Sequence, residues 1–201
     1  MTPSVVIFDL GKVLVDFDYS KAGHRIAASG NVSPEEVRRF IDHSPLLFRY
    51  ESGQMTTPEF FHEVRAATGY RGPLAEFSEI FADIFLPMEE MVALHAAVRR
   101  RSIPTFILSN TNELAIGHIR RRFPFFADFD GYVFSYEVGA MKPHEKIYAA
   151  AEHLTGKRGA ELLFLDDRPD NLAPAAARGW QTVLQETPEK TRAIFERLEL
   201  L

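Results

Sequence analysis

The chain has no cysteine among its 201 residues. That excludes disulfides, thiolate catalysis and cysteine-ligated metals, and it fits a cytoplasmic protein. No apolar run approaches the ~20 residues that a membrane-spanning helix needs, so no membrane partner is expected. The first apolar segment starts at Val5, which leaves no room for a secretory signal peptide. Basic residues are not in excess: the formal charge is −5, so a nucleic-acid partner is not expected either. The runs Arg99-Arg100-Arg101 and Arg120-Arg121-Arg122 fall at the ends of helix-like segments, where cations complement the helix dipole. The 7 histidines show no paired metal-ligand spacing. Internal repeats and low-complexity tracts are lacking as well. What is there is 46% hydrophobic and 25% charged residues, a balance that suits one globular domain with or without a modest insertion.

The apolar residues are gathered into short runs that stop abruptly at polar ones. Val5-Val6-Ile7-Phe8 ends at Asp9, Pro104 to Leu108 ends at Ser109-Asn110, and Tyr132-Val133-Phe134 ends at Ser135. Leu162 to Leu165 ends at Asp166-Asp167, and Gln181 to Leu184 follows Gly179-Trp180. Continuous apolar runs of this length read as strands buried on both faces. Helix-like segments separate them: Met88 to Arg101, Glu113 to Arg122, Pro143 to Leu154 and Asn171 to Arg178. The alternation predicts an α/β fold, a Rossmann-like parallel sheet flanked by helices. Phe123, Phe125, Phe126 and Phe129 are expected to pack on that sheet.

The stretch from Tyr19 to Pro87 differs. It offers helix starts at Ser33-Pro34-Glu35-Glu36 and Thr57-Pro58-Glu59, and no convincing strand. Phe60, Phe61, Val64 and Ala67 then follow at helical spacing, and Pro73 and Pro87 punctuate the end. The division expected is an α/β core over 1–16 and 88–201, with an all-helical cap of about four helices over 17–87 acting as a lid on the Asp9 site.

Ligands of open α/β folds bind beyond the carboxyl ends of the strands. Asp9, Ser109-Asn110, Lys142 (in Met141-Lys142-Pro143) and Asp166-Asp167 are all placed there. Each alone has a bland reading as a turn or cap residue. Four in this order, each behind an apolar run, resemble the motifs of the haloacid dehalogenase (HAD) superfamily. Phe8-Asp9-Leu10-Gly11, Leu108 to Asn112 and Phe164 to Asn171 look most like the α-D-glucose-1-phosphate phosphatase-like branch with a helical cap.

The resemblance implies a Mg²⁺-dependent phosphatase acting on a small-molecule phosphate ester, a sugar phosphate by preference, as a monomer or weak homodimer. Physical reasoning points the same way. A phosphate ester repels a bare carboxylate, so the site needs cations and oriented donors. Mg²⁺ takes carboxylate oxygens, which Asp9 and Asp167 can supply; the family pattern adds the Gly11 backbone carbonyl. Lys142, Ser109 and the Asn110 amide are the expected phosphate contacts. Asp9 is the expected nucleophile, forming an aspartyl-phosphate. Asp166 is expected to orient Lys142 or the metal's waters, and Asn171 to support the same loop. Arg49, Tyr50 and Glu51 in the cap, with Asn112 after the phosphate donors, are candidate specificity residues.

Gly11 departs from the family pattern. Most phosphatases of the superfamily carry a second aspartate there as general acid and base, help worth ~10²–10⁴ in rate. A good leaving group, such as an anomeric sugar, would need less of it; Asp16 or Lys12 are other sources. On this view Gly11→Asp should broaden activity. The alternatives are a 2-haloacid dehalogenase-type hydrolase, for which the Asp166-Asp167 pair is superfluous, and a weakly active or non-catalytic phosphate binder.

Overall fold

The computed structural model describes residues 2–42 and 44–201. The chain opens with β1 (Val5–Phe8) and β2 (Val15–Phe17). It then forms α1 (Tyr19–Ala27), α2 (Pro34–Ile41), α3 (Pro45–Glu51), α4 (Thr57–Thr68), α5 (Leu74–Ala82) and β3 (Phe85–Pro87). Next come α6 (Glu89–Arg100), β4 (Thr105–Ser109), α7 (Glu113–Arg122), β5 (Gly131–Phe134), α8 (Ser135–Val138) and α9 (Glu145–Thr155). It closes with β6 (Leu162–Asp166), α10 (Pro169–Ala177), β7 (Gln181–Leu184) and α11 (Pro188–Arg197).

Five strands form one sheet in the order β5-β4-β1-β6-β7, with every pairing parallel. Alternation of side chains explains why the runs are wholly apolar. Val6 and Phe8 of β1 join one hydrophobic cluster with Leu94 of α6 and Phe195 of α11, while Val5 and Ile7 join another with Tyr148 of α9 and Leu172 of α10. Both faces are covered, so neither can be polar. Phe126 and Phe129 are buried in the first cluster, as the sequence predicts. The chain moves outward from β1 to β4 and β5, then returns to the other side of β1 for β6 and β7. That reversal puts the switch point of the sheet at the carboxyl end of β1, where Asp9 follows.

Residues 19–82 form a second layer with its own core. Val37, Tyr50, Phe60, Val64, Phe77 and Phe81 pack together there, largely as stacked and edge-on rings. Ser33 and Glu36 make the predicted capping box, which contributes about 1 kcal/mol. The second box uses Thr56, one residue before the predicted start, with Glu59. Ala67 is exposed and Thr68 takes its place in the core, its hydroxyl bonded to the Val64 carbonyl. Pro73 opens α5 rather than ending the region.

Three sequence expectations fail here. Among the described residues the helical layer has five helices, not about four. Asn171 lies inside α10, which starts at Pro169. The region is also not free of strand: β2 and β3 pair antiparallel, with Val15 against Pro87 and Phe17 against Phe85. Pairs of three residues carry too little alternation to be read from sequence, and Pro87 argues against a strand unless it sits at an edge, as it does. This ribbon carries the chain between sheet and helical layer. No helix among the described residues is long and apolar enough to cross a membrane.

Candidate active site

Two strand ends and a loop converge beside the switch point. Asp9 follows β1 and its backbone N–H bonds to Leu165 of β6 at 2.8 Å. Asp166 is the last residue of β6, and Asp167 is next. Carboxylate oxygens of Asp9, Asp166 and Asp167 lie within 4.8 Å of one another. Lys142 enters from the loop before α9 and is joined to the following Pro143 by a cis peptide bond. Its ammonium stands 2.9 Å from Asp9 Oδ1 and 2.6 Å from Asp166 Oδ2.

The three aspartates are not equivalent. Asp166 is fully buried and both its oxygens are engaged. Oδ2 accepts from Lys142, Oδ1 accepts from the Arg168 N–H at 2.8 Å, and Asn171 Nδ2 donates to both at 2.9 and 3.1 Å. Tyr148 donates its hydroxyl to the Asn171 carbonyl at 2.7 Å and fixes that residue in turn. Asp9 Oδ1 accepts from Lys142 and from the Leu10 N–H at 2.7 Å, leaving Oδ2 without a hydrogen bond among the described residues. The Gly11 carbonyl likewise accepts none among them.

Burial sets the electrostatics. It pushes the Asp9 carboxyl up to about 7, against the pull of Lys142 and with a further push from Asp166. Asp167 is raised for the same reason, burial first and the Asp166 charge second. Burial works against the Lys142 ammonium, and the two carboxylates beside it outweigh that and hold its pKa above the usual value. Closely spaced carboxylates that resist ionisation, with hard oxygen donors left unsatisfied on Asp9, suit a divalent cation such as Mg²⁺. Asp9, Asp167 and the Gly11 carbonyl fit it. Asp166 fits less well, because both its oxygens are already hydrogen-bonded.

A cavity of about 640 Å³ opens above these residues. Asp9, Asn110, Lys142 and Asp167 form its floor, and Tyr19, Asp42, Leu47 and Glu51 of the helical layer form its far wall. Ser109 is buried and lines a smaller chamber of about 50 Å³ behind, one shared with Gly11, Glu51 and Asn112. The Asn110 side chain has a role that the sequence reading missed. Its Oδ1 accepts from the Lys142 N–H at 2.7 Å and its Nδ2 donates to the Lys142 carbonyl at 3.0 Å. A two-bond clamp thus ties the end of β4 to the lysine loop.

The cap candidates separate. Arg49 is exposed and lies off the cavity. Tyr50 belongs to the helical core, stacked on Phe60 with 4.4 Å between ring centroids and bonded to Thr57 at 2.6 Å. Phe48 points to solvent. Glu51 alone of the three lines the cavity, and burial pushes its carboxyl up to about 7, with the Asn112 side chain opposing. Asn112 is buried, and its side chain caps α7 through the Ala115 N–H. His144 is not among the cavity residues; its side chain caps α9 through the Lys146 N–H.

Phe17 is the residue that no sequence signal marked. A Cβ placed on Gly11 would lie 2.9 Å from its Cε1. The aromatic ring fills the space that a side chain at position 11 would need. Asp16, a suggested substitute acid, is ion-paired with Lys12 and does not line the cavity.

Residues 3–179 match the family of haloacid dehalogenase-like hydrolases. The chain belongs to that family. Among curated relatives, D-ribitol-5-phosphate phosphatase of Bacteroides thetaiotaomicron is 24% identical over 90% of this chain and 91% of its own length. Acyl-CoA dehydrogenase family member 10 of Mus musculus is 27% identical over 96% of this chain, which spans only 19% of that protein. A HAD family enzyme of B. thetaiotaomicron superposes with a TM-score of 0.82 at 22% identity, covering 97% of this chain and 99% of its own. The same enzyme in complex with magnesium and inorganic phosphate gives 0.79 at 22% identity, covering 92% and 94%. At these identities the superpositions carry the fold, the five-stranded parallel sheet with its inserted helical layer.

Proposed function

We propose that the chain is a Mg²⁺-dependent phosphatase of small phosphorylated metabolites, a sugar or sugar-alcohol phosphate by preference, with residues 17–87 as its cap. The observation that carries the reading is the Asp9–Lys142–Asp166 arrangement beside Asp167 at the switch point of the sheet. A relative at 24% identity is a ribitol phosphate phosphatase, which supports the substrate class.

Asp9 acts as the nucleophile. Its unbonded Oδ2 attacks phosphorus and the ester oxygen leaves, giving an aspartyl-phosphate that water then hydrolyses. Lys142 holds Asp9 Oδ1 from the side and places a positive charge next to the phosphoryl oxygens, where it stabilises charge in transfer. Asp166 keeps Lys142 aimed, and Asn171 and Asn110 hold the pair in register. A Mg²⁺ ion bound by Asp9, Asp167 and the Gly11 carbonyl would offset the charge of the phosphate and of the carboxylates around it. The cavity of about 640 Å³ has room for a metabolite-sized group.

The test is hydrolysis of p-nitrophenyl phosphate with and without Mg²⁺. Turnover should require the metal, vanish in Asp9→Asn and fall by at least 10²-fold in Asp167→Asn. Metal-independent turnover, or an active Asp9→Asn protein, sinks the mechanism. Metal-free halide release from a haloacid would favour the dehalogenase reading.

A further inference from the structure

The proposed chemistry lacks a proton donor for the leaving oxygen. The usual position for one is Gly11, and the Phe17 ring occupies the space beside it. The donor must therefore come from elsewhere on the cavity wall.

We propose that Glu51, at the end of α3 in the helical layer, is the proton donor to the leaving oxygen and the base for the attacking water. The inference rests on the phosphatase reading above. It is reached by elimination among the titratable groups that line the cavity. Asp9, Lys142 and Asp167 are committed to the phosphoryl side. Asp18 accepts from the Ser20 N–H as the cap of α1 and is held below the usual carboxylate range by the Ser20 bonds. Asp42 is paired with Arg38 at 3.2 Å. Lys12 is paired with Asp16 and lies over the Phe17 ring. Arg168 does not give up its proton in proteins. The Tyr19 phenol, raised well above 10 by burial, cannot give up its proton near neutrality.

Glu51 differs from all of these. Among the described residues no cation is paired with it, and the neutral Asn112 side chain hydrogen-bonds to it. It lines both the main cavity and the smaller chamber, in company with Gly11 each time. Its backbone is anchored to the core. Ser135 donates its hydroxyl to the Glu51 carbonyl at 2.6 Å and accepts from the Thr111 N–H at 2.9 Å. Two residues on, Gly53 packs so closely that an added Cβ would lie 2.3 Å from the Tyr136 carbonyl oxygen. The backbone that carries this carboxyl is thereby anchored to the core beside the cavity. Its burial supports the protonated form near neutrality, the state that a general acid needs.

The step balances. As Asp9 forms its bond to phosphorus, the bond from phosphorus to the ester oxygen breaks. The Glu51 proton passes to that oxygen, the alcohol leaves neutral, and Glu51 becomes a carboxylate. Glu51 then takes a proton from the water that attacks phosphorus. The bond from phosphorus to Asp9 breaks, phosphate leaves, and Glu51 is protonated again.

The experiment compares kcat/KM on p-nitrophenyl phosphate, a good leaving group, with that on an alkyl phosphate such as ribitol 5-phosphate, a poor one. In Glu51→Gln the alkyl ester should lose 10²-fold or more, and p-nitrophenyl phosphate less than about fivefold. The variant should also release one equivalent of p-nitrophenol in a burst before slow turnover, because the water-activating base is gone. Glu51→Asp should recover part of the alkyl activity. Equal losses on both esters, or no loss on either, would overturn the assignment while leaving the phosphatase reading intact. Retained p-nitrophenyl phosphate activity certifies that the variant is folded. Absence of Mg²⁺-dependent turnover in the wild-type protein would overturn both readings.

Discussion

The Lys142 ammonium lies 2.9 Å from Asp9 Oδ1, and both residues are almost wholly buried. Lys142 is the nearest cation that offsets the two carboxylates it touches. Removing one member of a buried ion pair is strongly destabilising, typically ~3–5 kcal/mol, because the remaining charge has no partner. Here the remaining charges can be quenched by protons. Lys142→Met should therefore abolish phosphatase activity and cost about 3 kcal/mol at pH 8. The cost should shrink at pH 6, as Asp9 takes up a proton in the folded variant. Urea unfolding at the two pH values checks the sign. A variant equally destabilised at both would show that packing of the lysine stem, not charge, is what is lost.

Gly11 is where the structure changes a sequence expectation most. An aspartate there was expected to restore the acid and broaden activity. With Phe17 Cε1 2.9 Å from the required Cβ, the ring must move, and it is packed edge-on against Tyr19 and tilted against Phe85. Overpacking of this kind costs ~1–3 kcal/mol. Gly11→Asp alone should thus lower Tm by several degrees without raising the rate on alkyl phosphates. Gly11→Asp combined with Phe17→Ala removes the clash and should recover the stability lost to it. A clear rate gain in the single variant would refute this account.

The sheet was legible from sequence because burial on both faces leaves unbroken apolar runs, and those of β1, β4 and β6 stop at or just before the candidate site residues. Asp9 and Asp167 follow such stops, whereas Lys142 lies in a loop and became a candidate only through its place in the order of the four motifs. The helical layer was legible as helical, through the Ser33-Glu36 box and the Phe60 and Val64 spacing. Its strand pair was not, since Val15–Phe17 and Phe85–Pro87 are too short to show a period. The division of labour among Arg49, Tyr50 and Glu51 was equally hidden. Consecutive helical residues point some 100° apart, so only the packing of α3 decides that Tyr50 meets Phe60 while Glu51 meets the cavity. Phe17 escaped notice because its meaning depends on a chain reversal after Gly11 that no local signal encodes.

Gly53 is a second test of how the layer is held. It has φ of +71° and no space for a Cβ against the Tyr136 carbonyl. Gly156 has φ of +65° and nothing within 4 Å of an added Cβ. Gly156→Ala should therefore cost only the left-handed backbone penalty, ~1 kcal/mol, with activity unchanged. Gly53→Ala must also move the turn after α3 away from α8. It should cost roughly 3 kcal/mol, lower Tm by about 6–12 °C, and reduce kcat/KM as Glu51 shifts. Equal Tm losses in the two variants would mean that the Gly53 contact yields freely.

His95 offers a pH test remote from the site. It is buried, stacked on Phe129 with 3.9 Å between centroids, and its Nε2 is 3.0 Å from the Thr105 hydroxyl oxygen. Burial lowers its pKa to about 4, with Arg99 adding to the effect. The unfolded chain, with a histidine pKa near 6.5, binds the proton first as the pH falls. The stability that His95 contributes is whole above pH 6.5 and is lost as pH falls through 4. Between pH 7 and pH 4.5 the loss should be roughly 2–3 kcal/mol. Asp9 and Glu51, both raised to about 7, act in the opposite direction, because folding favours their protonated forms. The total pH dependence is therefore a poor measure, and the comparison must be between proteins. His95→Gln should lose less stability than wild type between pH 7 and pH 4.5, even though it is less stable at pH 7. Parallel loss in the two proteins would show that His95 takes up its proton at an ordinary pH despite the ring stacked on it.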